Sequence, residues 1–418
     1  MDIKVNYKTT DMKEKSQLMN RREFISKSGL LSAGVCMAGT GLLTSCSWQS
    51  KNKELTKHII DRVEFGIVNL QKPRPVGRNA RIGLHSQYKK ETYLKLYTDQ
   101  GATGWGICRY TDEEKETLTQ SVVGKTVDQL ILPSEGLAEG VDHEFDLPLH
   151  DLAGIILNQP VYKMLGEKGP KAKEIYSGMI YFDEMDPEDN PAGIEKVMEN
   201  CQWDYKYGYR QLKVKIGRSG RWYPHDEGLA MDIRIIRMIY EEFGDEVGIL
   251  VDANDMYSLQ DTIDFLEGVE GVPIYWMEEP FVENLEEGRK LKDWMMANGR
   301  EDTFYADGER NPDFDVCLQL AREDKLDVFL PDVRSFGFSP WRKLMPSLIE
   351  MNLLTSPHAW GSPLKTNYAA HLSAGLGNVC TIEGVTSQSD DIDFGNYTIV
   401  DGKLQVSDDP GFGMKLLI

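Results

Sequence analysis

From about residue 174 onward the chain repeats one unit, a short apolar run followed by a helical stretch, at intervals of roughly 25 to 40 residues. The runs are IYSGMIYF, QLKVKIG, VGILVDAN, PIYWMEEP, TFYADGE, DVFLPDV, NLLTSPHAW and NVCTIEG. Strands alternating with helices call for a parallel sheet with right-handed crossovers, and eight of them suggest a sheet closed into a barrel. The spacers mostly fit one helix each. RWYPHDEGLAMDIRIIRMIYEEFGDE, for example, carries apolar residues at helical spacing over a polar opposite face.

The chain before residue 174 has a different grammar. DRVEFGIVNL and TYLKLYTDQGATGWGICRY read as strands, the latter turning through Asp99-Gln100-Gly101. The basic, turn-rich QKPRPVGRNARIGLHSQYKK between them reads as a loop, and a helical pattern runs from about 115 to 170. Strands followed by helices suggest a small α+β domain over residues 58–173. The first 46 residues stand apart. NRREFISKSGLLSAGVCMAGTGLLTSC resembles a twin-arginine export signal with a lipoprotein cleavage box, so Cys46 would become a lipidated first residue. The expectation is a periplasmic or cell-surface lipoprotein on a polar tether, residues 47–57, touching the membrane only through Cys46.

A net charge of −20 argues against nucleic-acid partners. No segment after residue 50 has the roughly 18 apolar residues that a membrane helix needs. Cys108, Cys201, Cys317 and Cys380 show neither zinc-site nor redox spacing and make a poor disulfide framework.

QLKVKIG poses the chemical question. Leu212, Val214 and Ile216 alternate with Lys213 and Lys215, so a buried strand here projects two ammonium groups inward, and unpaired buried charge is costly. Polar residues gather at the carboxyl ends of the other runs: Asp252 and Asn254, Glu278 and Glu279, Asp307 and Glu309, Asp332, His358 and Glu383. Barrel active sites are built at that rim from several strands. Carboxylates on three successive strands, about 4.8 Å apart, would repel without a cation, and a hard ion such as Mg²⁺ is the natural occupant. The expected ligands are Asp252, Glu278 and Glu309, with Glu279 and Asp307 as alternatives of suitable position. His358 and Asp332 end neighbouring strands, where the carboxylate would orient the imidazole and raise its pKa.

Together LKVKIG, VDAN, WMEEP, DGER, PDV and SPHAWGSP, in that order, resemble the enolase superfamily, mandelate racemase subgroup. The resemblance implies an α/β fold, a modified TIM (β/α)7β-type barrel over residues 174–390, with an N-terminal α+β capping domain to which residues 391–418 return. It also implies one Mg²⁺ per site and removal of the proton α to a carboxylate. A side chain alone cannot remove so weak an acid's proton, so the developing charge must be stabilised as it forms. In that scheme Lys213 neutralises a substrate carboxylate oxygen and Lys215 is the base. The two ammoniums are expected to lower each other's pKa. Asp332 and His358 face Lys215 across the substrate. Glu383 matches the family glutamate that hydrogen-bonds the substrate carboxylate, and would be protonated. Asn254 would assist at the metal or bind a hydroxyl. Arg74, Arg78, Arg81 and His85, in the capping loop, could read distal hydroxyls or a second acid group. The implied substrate is a small carboxylate, an aldonate, uronate or aldarate that would be dehydrated to a 2-keto-3-deoxy acid. Racemisation or epimerisation, or sugar-acid binding without turnover, are the alternatives. Homo-oligomerisation is compatible with all of these.

Overall fold

The computed structural model describes residues 53–418. The twin-arginine stretch, Cys46 and residues 47–52 lie outside the described residues. Strands β1 (Ile60–Gln71), β2 (Tyr88–Thr98) and β3 (Thr103–Ile107) form an antiparallel sheet. Helices α1 (Glu114–Val122), α2 (Asp146–Ile156) and α3 (Val161–Leu165) follow. The continuous helical pattern expected from 115 to 170 is corrected here, because a short hairpin, β4 (Ile131–Leu132) and β5 (Gly136–Leu137), interrupts it. Pro133 and Gly136, the latter at φ 107, break the helix where apolar spacing alone would continue it. Gly104 lets α2 lie flush on β3, since a Cβ there would collide with the Leu152 backbone.

The barrel strands are β6 (Ala172–Ile180), β7 (Gln211–Lys215), β8 (Gly248–Asp252), β9 (Ile274–Glu278), β10 (Phe304–Asp307), β11 (Val328–Phe329), β12 (Leu354–Thr355) and β13 (Ile382–Gly384). Sequence neighbours pair in parallel around the ring. β13 returns to β6, and a parallel bridge from Thr355 to Val379 closes the remaining gap. Helices α4 (Glu195–Tyr207), α5 (His225–Phe243), α6 (Leu259–Gly268), α7 (Leu285–Ala297), α8 (Phe314–Arg322), α9 (Phe338–Glu350) and α10 (Pro363–Leu376) occupy the crossovers. The fold is therefore α/β, a TIM-type barrel with an N-terminal cap.

Register explains the inward lysines. Lys215 pairs with Asp252, and Asp252 with Glu278, so three charged residues share one level of the rim. Two residues lower, Lys213 pairs with Leu250, Leu250 with Trp276 and Trp276 with Phe304. Leu250, Trp276 and Phe304 join Tyr176, Val328 and Leu354 in the apolar plug beneath the site. The alternate residues Leu212, Val214, Ile249, Val251 and Met277 belong to the larger core.

The C-terminal segment contacts both units. Its hairpin adds Lys403–Gln405 antiparallel to β6, and Phe412 N donates to Asp151 on α2 at 2.8 Å. Trp105 Nε1 donates to Met414 O at 3.0 Å. The four described cysteines are buried and unpaired. Among the described residues no helix is long and apolar enough to cross a membrane.

Candidate active site

At the rim, Lys213 Nζ lies 2.8 Å from Glu278 Oε1 and 3.3 Å from both Asp252 Oδ2 and Glu383 Oε1. Lys215 pairs with Asp252 Oδ2. The negative partners of the lysine pair are thus the rim carboxylates. This reverses one expectation: Lys213 is not depressed by its neighbour. Burial works against its charge, but Glu278 and Glu383 hold its pKa well above the ordinary lysine value. For Lys213, attraction to these acids outweighs any repulsion from the neighbouring ammonium. Asp252 likewise stays well below the usual carboxylate range, its burial overcome by Lys215 and Lys213. Glu278 is pushed up by burial and by Asp252.

Asp252, Glu278 and Glu309 each bring an oxygen into a group whose atoms lie within 4.8 Å of one another. Glu278 Oε2 and Glu309 Oε2 are buried without hydrogen-bond partners. An all-carboxylate set with orphaned oxygens fits a hard divalent cation. Asp255, Glu279 and Asp307 form a second acidic group beside it. Asp307 differs from Glu278 and Glu309 in having both oxygens satisfied, by Tyr305 OH and Gly308 N, each at 2.7 Å. Burial, with Glu283, pushes its pKa to about 7. Asn254 sits at φ 48, a left-handed turn that aims its N–H at Asp252 Oδ1, 2.9 Å away. Its own Oδ1 is buried and unpartnered.

Across the ring, His358 Nδ1 lies 2.8 Å from Asp332 Oδ2, and its Nε2 lies 3.0 Å from Glu309 Oε1 and 3.7 Å from Glu383 Oε2. Burial disfavours the imidazolium, but Glu309, Glu383 and Asp332 raise its pKa. Glu383 accepts from Ala359 N at 2.7 Å. The expectation of a protonated Glu383 is corrected: although burial opposes ionisation, Lys213 and His358 hold its pKa below the ordinary value.

Two functional neighbours escaped sequence reasoning. Lys365 Nζ shares Asp332 Oδ2 with His358, at 2.6 Å. The clue was a lysine in the first turn of α10, where a cation opposes the helix dipole and needs a specific partner. Arg218 donates to Lys215 O at 3.0 Å while paired with Glu184 and Asp232 at 2.8 and 2.6 Å, which braces the end of β7. No local pattern marked it.

The capping loop, residues 72–87, lies against the barrel: Gly77 N donates to Asp183 Oδ1 at 2.8 Å, and Arg78 bridges to Phe182. Its arginines each have an acid nearby. Arg74 forms a two-pronged pair with Asp204 at 2.9 and 2.8 Å. Arg78 pairs with Asp186 and Glu188 at 2.9 and 3.3 Å, and Arg81 pairs with Asp255. Each guanidinium thus has an acid within reach, although Arg74 Nε is buried without a hydrogen-bond partner. His85 is placed differently. Its ring meets Tyr181 and Trp360 edge-on at 4.9 and 5.7 Å, and Tyr181 lies 5.4 Å from Lys215 Nζ.

Lysines, acids and a carboxylate-oriented histidine, collected from seven strands at one rim, define an enzyme of the lyase or isomerase kind. Residues 196–417 match the enolase C-terminal domain-like family, and the chain belongs to it. It is 26% identical over 64% of its length to arabinonate dehydratase of Saccharolobus solfataricus, of which it covers 67%. It is 25% identical over 46% of its length to D-Ala-D/L-Ala epimerase of Cytophaga hutchinsonii, covering 52% of that protein. Galacturonate dehydratase from Geobacillus sp., crystallised with D-galacturonate and 5-keto-4-deoxy-D-galacturonate, superimposes with a TM-score of 0.80 at 28% identity. That match covers 87% of this chain and 95% of the other. A mutant of the same enzyme was crystallised with Mg.

Proposed function

We propose that this enzyme dehydrates an acid sugar to a 2-keto-3-deoxy acid, using Mg²⁺ held by Asp252, Glu278 and Glu309. The observation that carries this reading is the placement of Lys215 and the His358–Asp332 pair on opposite arcs of one ring around three clustered carboxylates. When bound, the ion supplies electrophilic stabilisation of charge developing on the substrate carboxylate. Lys215, in its neutral form, takes the proton from the carbon next to that carboxylate. Lys213, beside Glu383 at the rim, holds a carboxylate oxygen. His358 protonates the β-hydroxyl as its C–O bond breaks, water departs, and the enol tautomerises to the keto acid. Asp332 keeps Nδ1 protonated, so Nε2 delivers and receives the proton.

Incubation with Mg²⁺ and an acid-sugar panel in D₂O, read by mass spectrometry, tests this. Loss of water is expected. Deuterium uptake without water loss would favour epimerisation, which the same two opposed groups support. Lys215→Ala should abolish turnover. A variant that keeps full ligand affinity while wild type shows no exchange with any acid would instead favour a binding protein. We also propose export through the twin-arginine stretch with lipid at Cys46, testable by palmitate labelling of wild type and Cys46→Ala.

A further inference from the structure

We infer that the distal end of the site reads an uncharged, hydroxyl-bearing terminus, so that the substrate is a monocarboxylic aldonate or uronate, not an aldarate carrying a carboxylate at each end. This rests on the acid-sugar reading above and narrows it.

Two observations carry it. The first is the disposition of the capping-loop cations. A second substrate carboxylate would need a guanidinium or ammonium with nothing else to neutralise it. Arg74 and Arg78 are held by Asp204, Asp186 and Glu188, and Arg81 by Asp255. Lys72 alone among them has no acid partner, but it is 5% exposed, with Nζ donating to Ser86 O at 2.9 Å and lying 5.2 Å from the Trp360 ring, and burial beside Lys89 lowers its pKa to about 8, so it is enclosed by the loop as a weakened cation.

The second is the polarity of His85. Its Nδ1 lies 2.9 Å from Gly77 O, and a carbonyl only accepts, so the hydrogen resides on Nδ1. Burial, opposed by that hydrogen bond and reinforced by Lys72, Lys215 and Lys89, lowers its pKa to about 4. At neutral pH the ring is therefore uncharged and Nε2 carries a lone pair. No described residue hydrogen-bonds that nitrogen. A lone pair accepts from a hydroxyl and repels a carboxylate. Of the ring's neighbours, buried Tyr181 stacks at 4.9 Å and 29° on the half-buried Trp360, whose indole is the apolar group left to meet the C–H face of a polyol chain. His85 connects the two halves of the chemistry, since Tyr181 lies by Lys215 and Trp360 is two residues beyond His358.

The test compares configurationally matched acids on the Mg²⁺-loaded protein: gluconate and glucuronate with glucarate, galactonate and galacturonate with galactarate, and the remaining series likewise. Binding is read by calorimetry and exchange or water loss by mass spectrometry in D₂O. The best monoacid is expected to exceed its matched diacid by at least about ten-fold in affinity or kcat/KM, a difference of roughly 1.4 kcal/mol. His85→Arg should shrink or reverse that ratio, and His85→Gln, whose amide oxygen still accepts, should largely keep it. The wild-type ratio decides even if a variant fails to fold. Wild type preferring a diacid would overturn the inference while leaving dehydration intact. A diacid preference abolished by Arg310→Ala would overturn it too, assigning the recognition to the exposed residue after Glu309. If acids of neither class bind, exchange or lose water, this inference and the acid-sugar reading fall together.

Discussion

Replacing Lys365 by methionine should loosen the His358–Asp332 pair in a measurable way. Asp332 accepts four hydrogen bonds. Oδ1 takes Arg334 N and Ser335 N at 3.0 and 2.8 Å, and Oδ2 takes His358 Nδ1 and Lys365 Nζ at 2.8 and 2.6 Å. At 2.6 Å and an effective dielectric of about 20, the lysine–carboxylate attraction is about 6 kcal/mol before desolvation. Removing one partner of a buried pair costs about 3–5 kcal/mol net. Three donors remain on Asp332, so the low end applies, and urea denaturation of the metal-free protein should show a loss of about 3 kcal/mol. The released negative charge then acts on His358 alone. If half of that energy reaches the imidazole, its pKa rises by about one further unit, at 1.36 kcal/mol per unit. A raised histidine stabilises the fold fully below its unfolded value, near 6.5, and that contribution disappears as pH climbs through the folded value. In Lys365→Met the upper edge of this window moves to higher pH. Ring ¹⁵N resonances of His358, followed against pH, report it without a substrate. Lys365→Arg should restore both quantities. A methionine variant with unchanged stability and an unmoved His358 titration would refute the claim that Lys365 shares Asp332.

Glu309→Gln should weaken Mg²⁺ at least about 100-fold, beyond what loss of an outer-shell partner costs, and calorimetry on the purified protein would detect it. Arg74→Met leaves the buried Asp204 carboxylate without its guanidinium and should cost about 3–5 kcal/mol in urea denaturation. Acid-sugar affinity should stay within about two-fold, because the Arg74 guanidinium is paired with Asp204. Asp151, fully buried and accepting, among the described residues, from Trp105 N and Phe412 N, is raised by burial to about 7. Its native form keeps the proton longer than the unfolded chain does, so stability falls as pH rises from about 4 to about 7, by up to about 4 kcal/mol. Asp151→Asn should flatten that slope. Parallel stability curves for the two proteins at pH 5 and pH 8 would show that the carboxyl does not titrate as described.

Much of the site could be read along the chain because its logic is local. Alternation in QLKVKIG puts Lys213 and Lys215 on one side of a strand, and the acids Asp252 and Glu278 stand at strand ends where only the barrel rim could use them. Long-range partnerships left weaker marks. Lys365 lies 33 residues from Asp332, and Arg218 meets Glu184 and Asp232 across separate elements. The partners of the capping-loop arginines were hidden for the same reason, since nothing in that basic loop marks Asp204, Asp186 and Asp255, which the fold brings up. The ionisation of Lys213 and Glu383 was also beyond the sequence, because it depends on how many opposite charges converge within a few ångströms.

By itself, then, the sequence determined the barrel, the ring of chemical groups and their order around the rim, since apolar period and strand-end polarity are properties of short segments. The tertiary structure decided which cations are already paired, which acids keep their charge and which side chains brace the reacting groups. Those outcomes depend on distance and burial between residues far apart in the chain, and no local pattern encodes them.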